Sequence, residues 1–249
     1  MRATPPRAYP TATPETNRRH KMRIWDLNPG YLNRESLLGE HRELHAIVSI
    51  LVNCKRGYAR HPETLRWIGH GWALRQRHRQ LAAEMALRGY TDRTPVNLRS
   101  QPGVWPATYI DSPFDQIQRL RSKYLERAPG RIPLPVNPQQ LWSQHKYSVL
   151  ARSERIYRET GRVVAEKQSD FSALTRFLCE LLRTPPSPGA LQNALLHMWG
   201  HVADRTEDNR HIEAWPATRL LREIARRAME QNEPYLKSST ALGELAAWL

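Results

Sequence analysis

Apolar residues recur at helical spacing through most of this chain. Between residues 34 and 53, Leu37, His41, Leu44, Val48 and Leu51 fall on one stripe at ~100° per residue. Asn33 suits the N-cap of that helix, and Asn53 with Gly57 marks its end. A second helix is expected from Pro62, which fits a first turn, to about Arg88. Gly89 would cap it, and Gly69 and Gly71 would kink or break it. Residues 91–112 read as an extended loop rich in Pro, Asn and Ser, and 113–127 as a third helix with Ile117, Leu120 and Tyr124 on one face. Further helical patterns cover about 138–166, 170–183, 190–204 and 216–232, with Thr184 to Gly189 as a break. No stretch alternates as a strand would, so the expected fold class is all-α.

The same pattern divides the chain. Residues 1–21 hold four prolines and the cluster Arg18-Arg19-His20-Lys21, and offer no face to bury. They read as a disordered basic tail, or as a mis-assigned start with translation beginning at Met22. Residues 128–138 are rich in proline and read as a stiff linker. The expected organisation is a compact helical domain over 22–127 and a second helical domain over 139–249.

Charge sharpens this division. The net charge is +14; residues 1–128 carry +11 of it and residues 129–249 only +3. A basic first half fits phosphate binding, where each neutralised phosphate releases counterions. Cys54 and Cys179 are the only cysteines, which supports neither a disulfide framework nor a cysteine metal site. No apolar run reaches the ~18 residues of a membrane span and no signal-peptide core follows the start, so a cytoplasmic protein with no membrane partner is expected.

Three ordered blocks carry a resemblance. They are Glu40-His41-Arg42-Glu43-Leu44, about twenty residues after an Arg-Ile start at Arg23; Gly57 to Trp67; and Leu74 through Arg88-Gly89-Tyr90. With Ile110-Asp111-Ser112-Pro113 they resemble the pyrimidine-dimer DNA glycosylases of the phage T4 endonuclease V type, over about 22–125. The resemblance implies a DNA-repair glycosylase with abasic-site lyase activity, excising UV pyrimidine dimers from double-stranded DNA through an amine-imine intermediate and needing no cofactor. In that family a terminal amine attacks C1′ and a Glu on the first helix handles charge and protons. Glu43 matches that Glu, and Met22 holds the position of the amine-bearing residue, usable if translation starts there. An α-amine suits the task because its ordinary pKa of ~7.7–8.0 leaves a neutral fraction at pH 7. Were residues 1–21 retained, either Lys21 would be the nearest substitute or the site would be inactive. Arg23 and Arg42 match arginines that hold phosphates; Lys55, Arg56, Arg60 and His61 extend the expected DNA-binding set. One further family arginine is replaced here by Ala46. Residues 138–240, through Leu141-Trp142, His145-Lys146-Tyr147 and Asn193 to His197, resemble the YbgA-like domain, which has no settled chemistry.

From the residues alone, Glu43 lies near about −120° on the flank of the first helix, beside Ser36, Glu40 and Ile47, half desolvated and with Arg42 lowering its pKa. His41 and His45 share a face, but a zincin needs Glu directly after the first His, and here it is two residues on. They read as structural, as do His197 and His201, which lack a third ligand at supporting spacing even with His145 and His211 considered. No metal is expected. Trp67 and Trp72 read as core, although Trp residues near Arg can stack an unpaired base. Two other functions fit the charge: a non-catalytic nucleic-acid-binding protein on the same scaffold, and an accessory to nucleobase or RNA modification.

Overall fold

The computed structural model describes residues 22–98, 101–203 and 209–249. The expectations for residues 1–21 lie outside the described residues. Those described form eleven α-helices and short 3-10 turns with no strand, an all-α fold. Helix α1 spans Arg34–Asn53, with Asn33 accepting the Ser36 N–H and Cys54 closing it in the left-handed region. Helices α2 (Pro62–Trp67) and α3 (Gly71–Leu87) follow, then α4 (Pro113–Lys123). The expected single helix over 62–88 is broken at Ile68–His70, where Gly69 takes φ +81°. Gly89, at φ +79°, ends α3.

The second half contributes α5 (Pro138–Leu150), α6 (Glu154–Ala165), α7 (Phe171–Leu181), α8 (Pro188–Trp199) and α9 (Ala217–Glu230). Ser153 caps α6 through the Ile156 N–H, which splits the expected 138–166 helix. Two short helices, α10 (Pro234–Lys237) and α11 (Ala241–Ala246), are additions to the sequence reading. Helix α11 packs on α3, where Gly243 faces Glu84 so closely that a Cβ would lie 3.1 Å from its carboxylate.

Buried ion pairs stitch these helices. Arg77 of α3 grips both oxygens of Glu40 on α1 at 2.7 and 3.0 Å. Arg131 and Arg88 share Glu84, and Arg152 holds Glu244. Arg183, just past α7, donates to Asp26 at 2.8 Å, so the second half also steadies the first residues described.

The middle of the proline-rich stretch 128–138 is fixed. Ile132 is buried in the first core and its N–H donates to Gly30 O at 2.9 Å. Gly130 sits so close that a Cβ would meet Gly30 O and Tyr31 at 2.5 Å, all of it backbone. Gly130→Ala is therefore expected to destabilise the protein by about 1–3 kcal/mol, the usual cost of overpacking. Urea unfolding checks this, and an unchanged midpoint would show that the segment yields freely.

Candidate active site

The site is built on an extended segment that has no sheet to pair with. Buried N–H groups need acceptors, and from Arg23 to Asp26 four successive ones find side chains. Arg23 N donates to Glu43 Oε2 at 2.7 Å, Ile24 N to Glu63 Oε2 at 3.3 Å, Trp25 N to Glu40 Oε1 at 3.2 Å, and Asp26 N to Gln116 Oε1 at 2.8 Å. Helices α1, α2 and α4 thus each lend a carboxylate or an amide to one short extended segment. Ile24, Leu27, Tyr31 and Leu32 anchor it in the core. The Met22–Arg23 peptide is held against Glu43 as a result.

Glu43 is half-buried because the packed face of α1 runs through Leu37, Glu40, Leu44 and Ile47. That face is turned toward Glu43 relative to the stripe of Leu37, His41, Leu44, Val48 and Leu51. Burial raises the Glu43 pKa above 4.5; the Arg23 N–H and Lys123 pull it back, and Glu63 adds to the rise. Arg42, expected to lower the Glu43 pKa, is exposed to solvent, and the cations that chiefly lower it are Lys123 and Arg23. The group that takes the role, Lys123, comes from the end of α4, eighty residues on. Its Nζ donates to Ser36 Oγ at 2.9 Å, and desolvation and Arg127 lower its pKa.

The arginine at position 23 is half-buried, ion-paired with Asp111 and set over the Trp25 ring at 5.0 Å. Residues 22–98 match the family model for pyrimidine dimer DNA glycosylase. That part of the chain is similar to this family. Residues 146–243 match a second family, described only as a protein of unknown function, DUF1722. Together they bear out the two resemblances read from the sequence. No curated protein and no solved structure matches the chain.

The remaining candidates of the glycosylase-like domain cluster after α1. Lys55, Arg56 and Arg60 are exposed around the turn Gly57–Arg60, with Lys55 Nζ on Ser49 Oγ at 2.8 Å. Between them Tyr58 is exposed, an aromatic ring amid cations that sequence reading did not single out. His61 is half-buried and serves the fold, as its Nδ1 caps α2 by accepting the Glu63 N–H at 3.1 Å. Trp67 is core, and Trp72 packs between Trp105 and Trp248.

His145 is buried with its Nδ1 beside Leu141 O at 2.9 Å, and burial lowers its pKa to about 4. His201 meets the Tyr147 hydroxyl at 2.6 Å, while His197 is exposed, so these three do not converge. A different group does: His41 and His45 of α1, His78 of α3 and Asp92 of the loop after it. Sequence reading paired the first two and missed the others, which are brought in only by tertiary packing. Among the described residues, no helix is long and apolar enough to cross a membrane.

Proposed function

We propose that this protein excises damaged pyrimidines from duplex DNA and nicks the strand at the resulting abasic site. The observation that carries the reading is the docking of residues 23–26 by four side-chain acceptors, with Glu43 at the Arg23 N–H. In a chain beginning at Met22, the α-amine is one residue from that carboxylate. The neutral amine attacks C1′, the glycosidic bond breaks, and the base leaves with its electron pair. The attached amine loses a proton, its lone pair breaks the C1′–O4′ bond to open the sugar ring, and O4′ takes up a proton, which leaves an imine. Removal of a C2′ proton then expels the 3′ phosphate by β-elimination. Glu43, whose pKa burial raises above the ordinary carboxylate value, is placed to accept and return protons in both stages.

Exposed Arg42, Lys55, Arg56 and Arg60 lie on α1 and the turn after it and would meet phosphates. Arg42→Ala should reduce the slope of log K against log salt by about one. Arg23→Ala should change it less, since Asp111 already neutralises that side chain. Equal and full losses at both positions would show that DNA displaces Asp111. Trapping with borohydride, which reduces an imine to a stable covalent adduct, tests the proposed function itself.

A further inference from the structure

Three imidazoles and one carboxylate converge beside the helix that carries Glu43. The ring centroids of His41, His45 and His78 lie 4.7, 5.1 and 4.9 Å apart, so each ring touches the other two. Four donor atoms, one from each of these residues and one from Asp92, fall within 4.8 Å of one another. His41 and His45 are one helical turn apart on α1 and bracket Glu43. His78 comes from α3, and Asp92 from the loop just after Gly89.

Hydrogen bonding alone leaves this cluster unfinished. His41 Nε2 and His78 Nε2 are buried and make no hydrogen bond. The His78 side chain is only 6% exposed. Both atoms aim at Asp92, 3.3 Å from Oδ1 and 3.4 Å from Oδ2, without the alignment of a bond. Those separations equal the edge of a tetrahedron whose metal–ligand bonds are ~2.0–2.1 Å, which is about 3.4 Å. Closing the set on an ion draws its widest pair, at most 4.8 Å apart, inward by roughly 1.4 Å.

The surroundings are those of a ligand set. Thr94 donates its N–H and its hydroxyl to Asp92 Oδ1 at 2.9 and 2.8 Å, fixing the carboxylate from behind. Its Oγ1 also lies 3.1 Å from His45 Nε2. Burial lowers the His78 pKa to about 4 and also lowers that of His45, which favours in these two the neutral form that binds metals. Asp92 is pulled below the usual carboxylate range by Thr94 and the histidines. Lone protonated histidines would repel one another here; a divalent cation would join them.

We infer that His41, His45, His78 and Asp92 form a structural site for a tetrahedral divalent transition metal, with zinc as the best fit. Four protein ligands leave no open position, so the ion clamps rather than reacts. It locks the middle of α1 to α3 and to the loop at Asp92, and so fixes the turn from which Glu43 projects. The inference stands apart from the reaction, because it concerns only these four side chains.

The test uses the full chain, stripped of metal with a chelator and dialysed. Titration with Co²⁺, then displacement by Zn²⁺ read against a chromophoric chelator, should show one equivalent bound. The cobalt form should give the intense visible bands of four-coordinate geometry, and zinc should raise the unfolding temperature. His78→Gln and Asp92→Asn should each weaken binding at least ~10-fold and abolish that spectrum. Circular dichroism confirms that the variants are folded. A wild-type chain that binds less than one equivalent, or gives only the weak bands of six-coordinate cobalt, overturns the site. Binding left unchanged in both folded variants overturns it equally, by placing the metal elsewhere.

Discussion

Glu43→Gln should leave the fold and DNA affinity intact and lower strand nicking by at least ~10²-fold, the usual scale for a group that moves protons. Glutamine keeps the size of the side chain, and its carbonyl can still accept the Arg23 N–H now received at 2.7 Å. What it loses is the exchangeable proton and the negative charge beside the amine. Wild-type nicking should also fall as pH drops through a value above 4.5, since burial raises the Glu43 pKa and the proton-accepting form disappears below it. Nicking by Glu43→Gln at the wild-type rate would remove this residue from the mechanism.

The largest effect on stability is expected at Glu40. Its carboxylate is fully buried, takes two bonds from Arg77 and one from Trp25 N, and joins α1, α3 and the docked segment in a single contact. Glu40→Gln leaves the Arg77 guanidinium buried with its charge uncompensated. Breaking one side of such a pair costs about 3–5 kcal/mol, or roughly 10 °C in unfolding temperature for a chain of this size. The pair as a whole is worth far less, because its desolvation offsets most of the attraction. Replacing both residues by apolar ones, as in Glu40→Leu with Arg77→Met, should therefore cost much less than Glu40→Gln alone. Equal losses in the single and double variants would mean that Glu40 acts through Trp25 N rather than through Arg77.

Local signals made much of the fold legible. Asn33 and Cys54 bound α1 where capping and the apolar stripe put it, and Gly89 ends α3 as a residue free to take positive φ. The half-burial of Glu43 followed from helical geometry. Its electrostatics did not, because Lys123 and Glu63 reach it from other helices and leave no trace at the spacing of α1. The acceptors of the segment from Arg23 to Asp26 lie 15 to 90 residues away, beyond any periodic pattern. His78 and Asp92 joined His41 and His45 for the same reason. Helix α11 is too short for periodicity to show, and its Gly243 weakens the helical signal while permitting close contact with Glu84.

Arg183 and Arg131 suggest why the second half matters to the first. Arg183 holds Asp26, and Arg131 ties Glu84 to the carbonyls of Lys237 and Ser239. The segment from Arg23 to Asp26 is thus held from both halves of the chain.

The central claim is that an amine docked beside Glu43 forms an imine with DNA. Borohydride trapping on an abasic-site duplex, with peptide mapping of the modified residue, measures this most directly. Protein beginning at Met22 should give a covalent adduct on its terminal residue, and protein retaining residues 1–21 little or none, because only the former has an amine of low pKa at that position. An adduct of equal yield from both proteins, mapped to Lys21 or Lys123, would contradict the terminal amine. No adduct from either would contradict the lyase altogether and leave a DNA-binding scaffold without this chemistry.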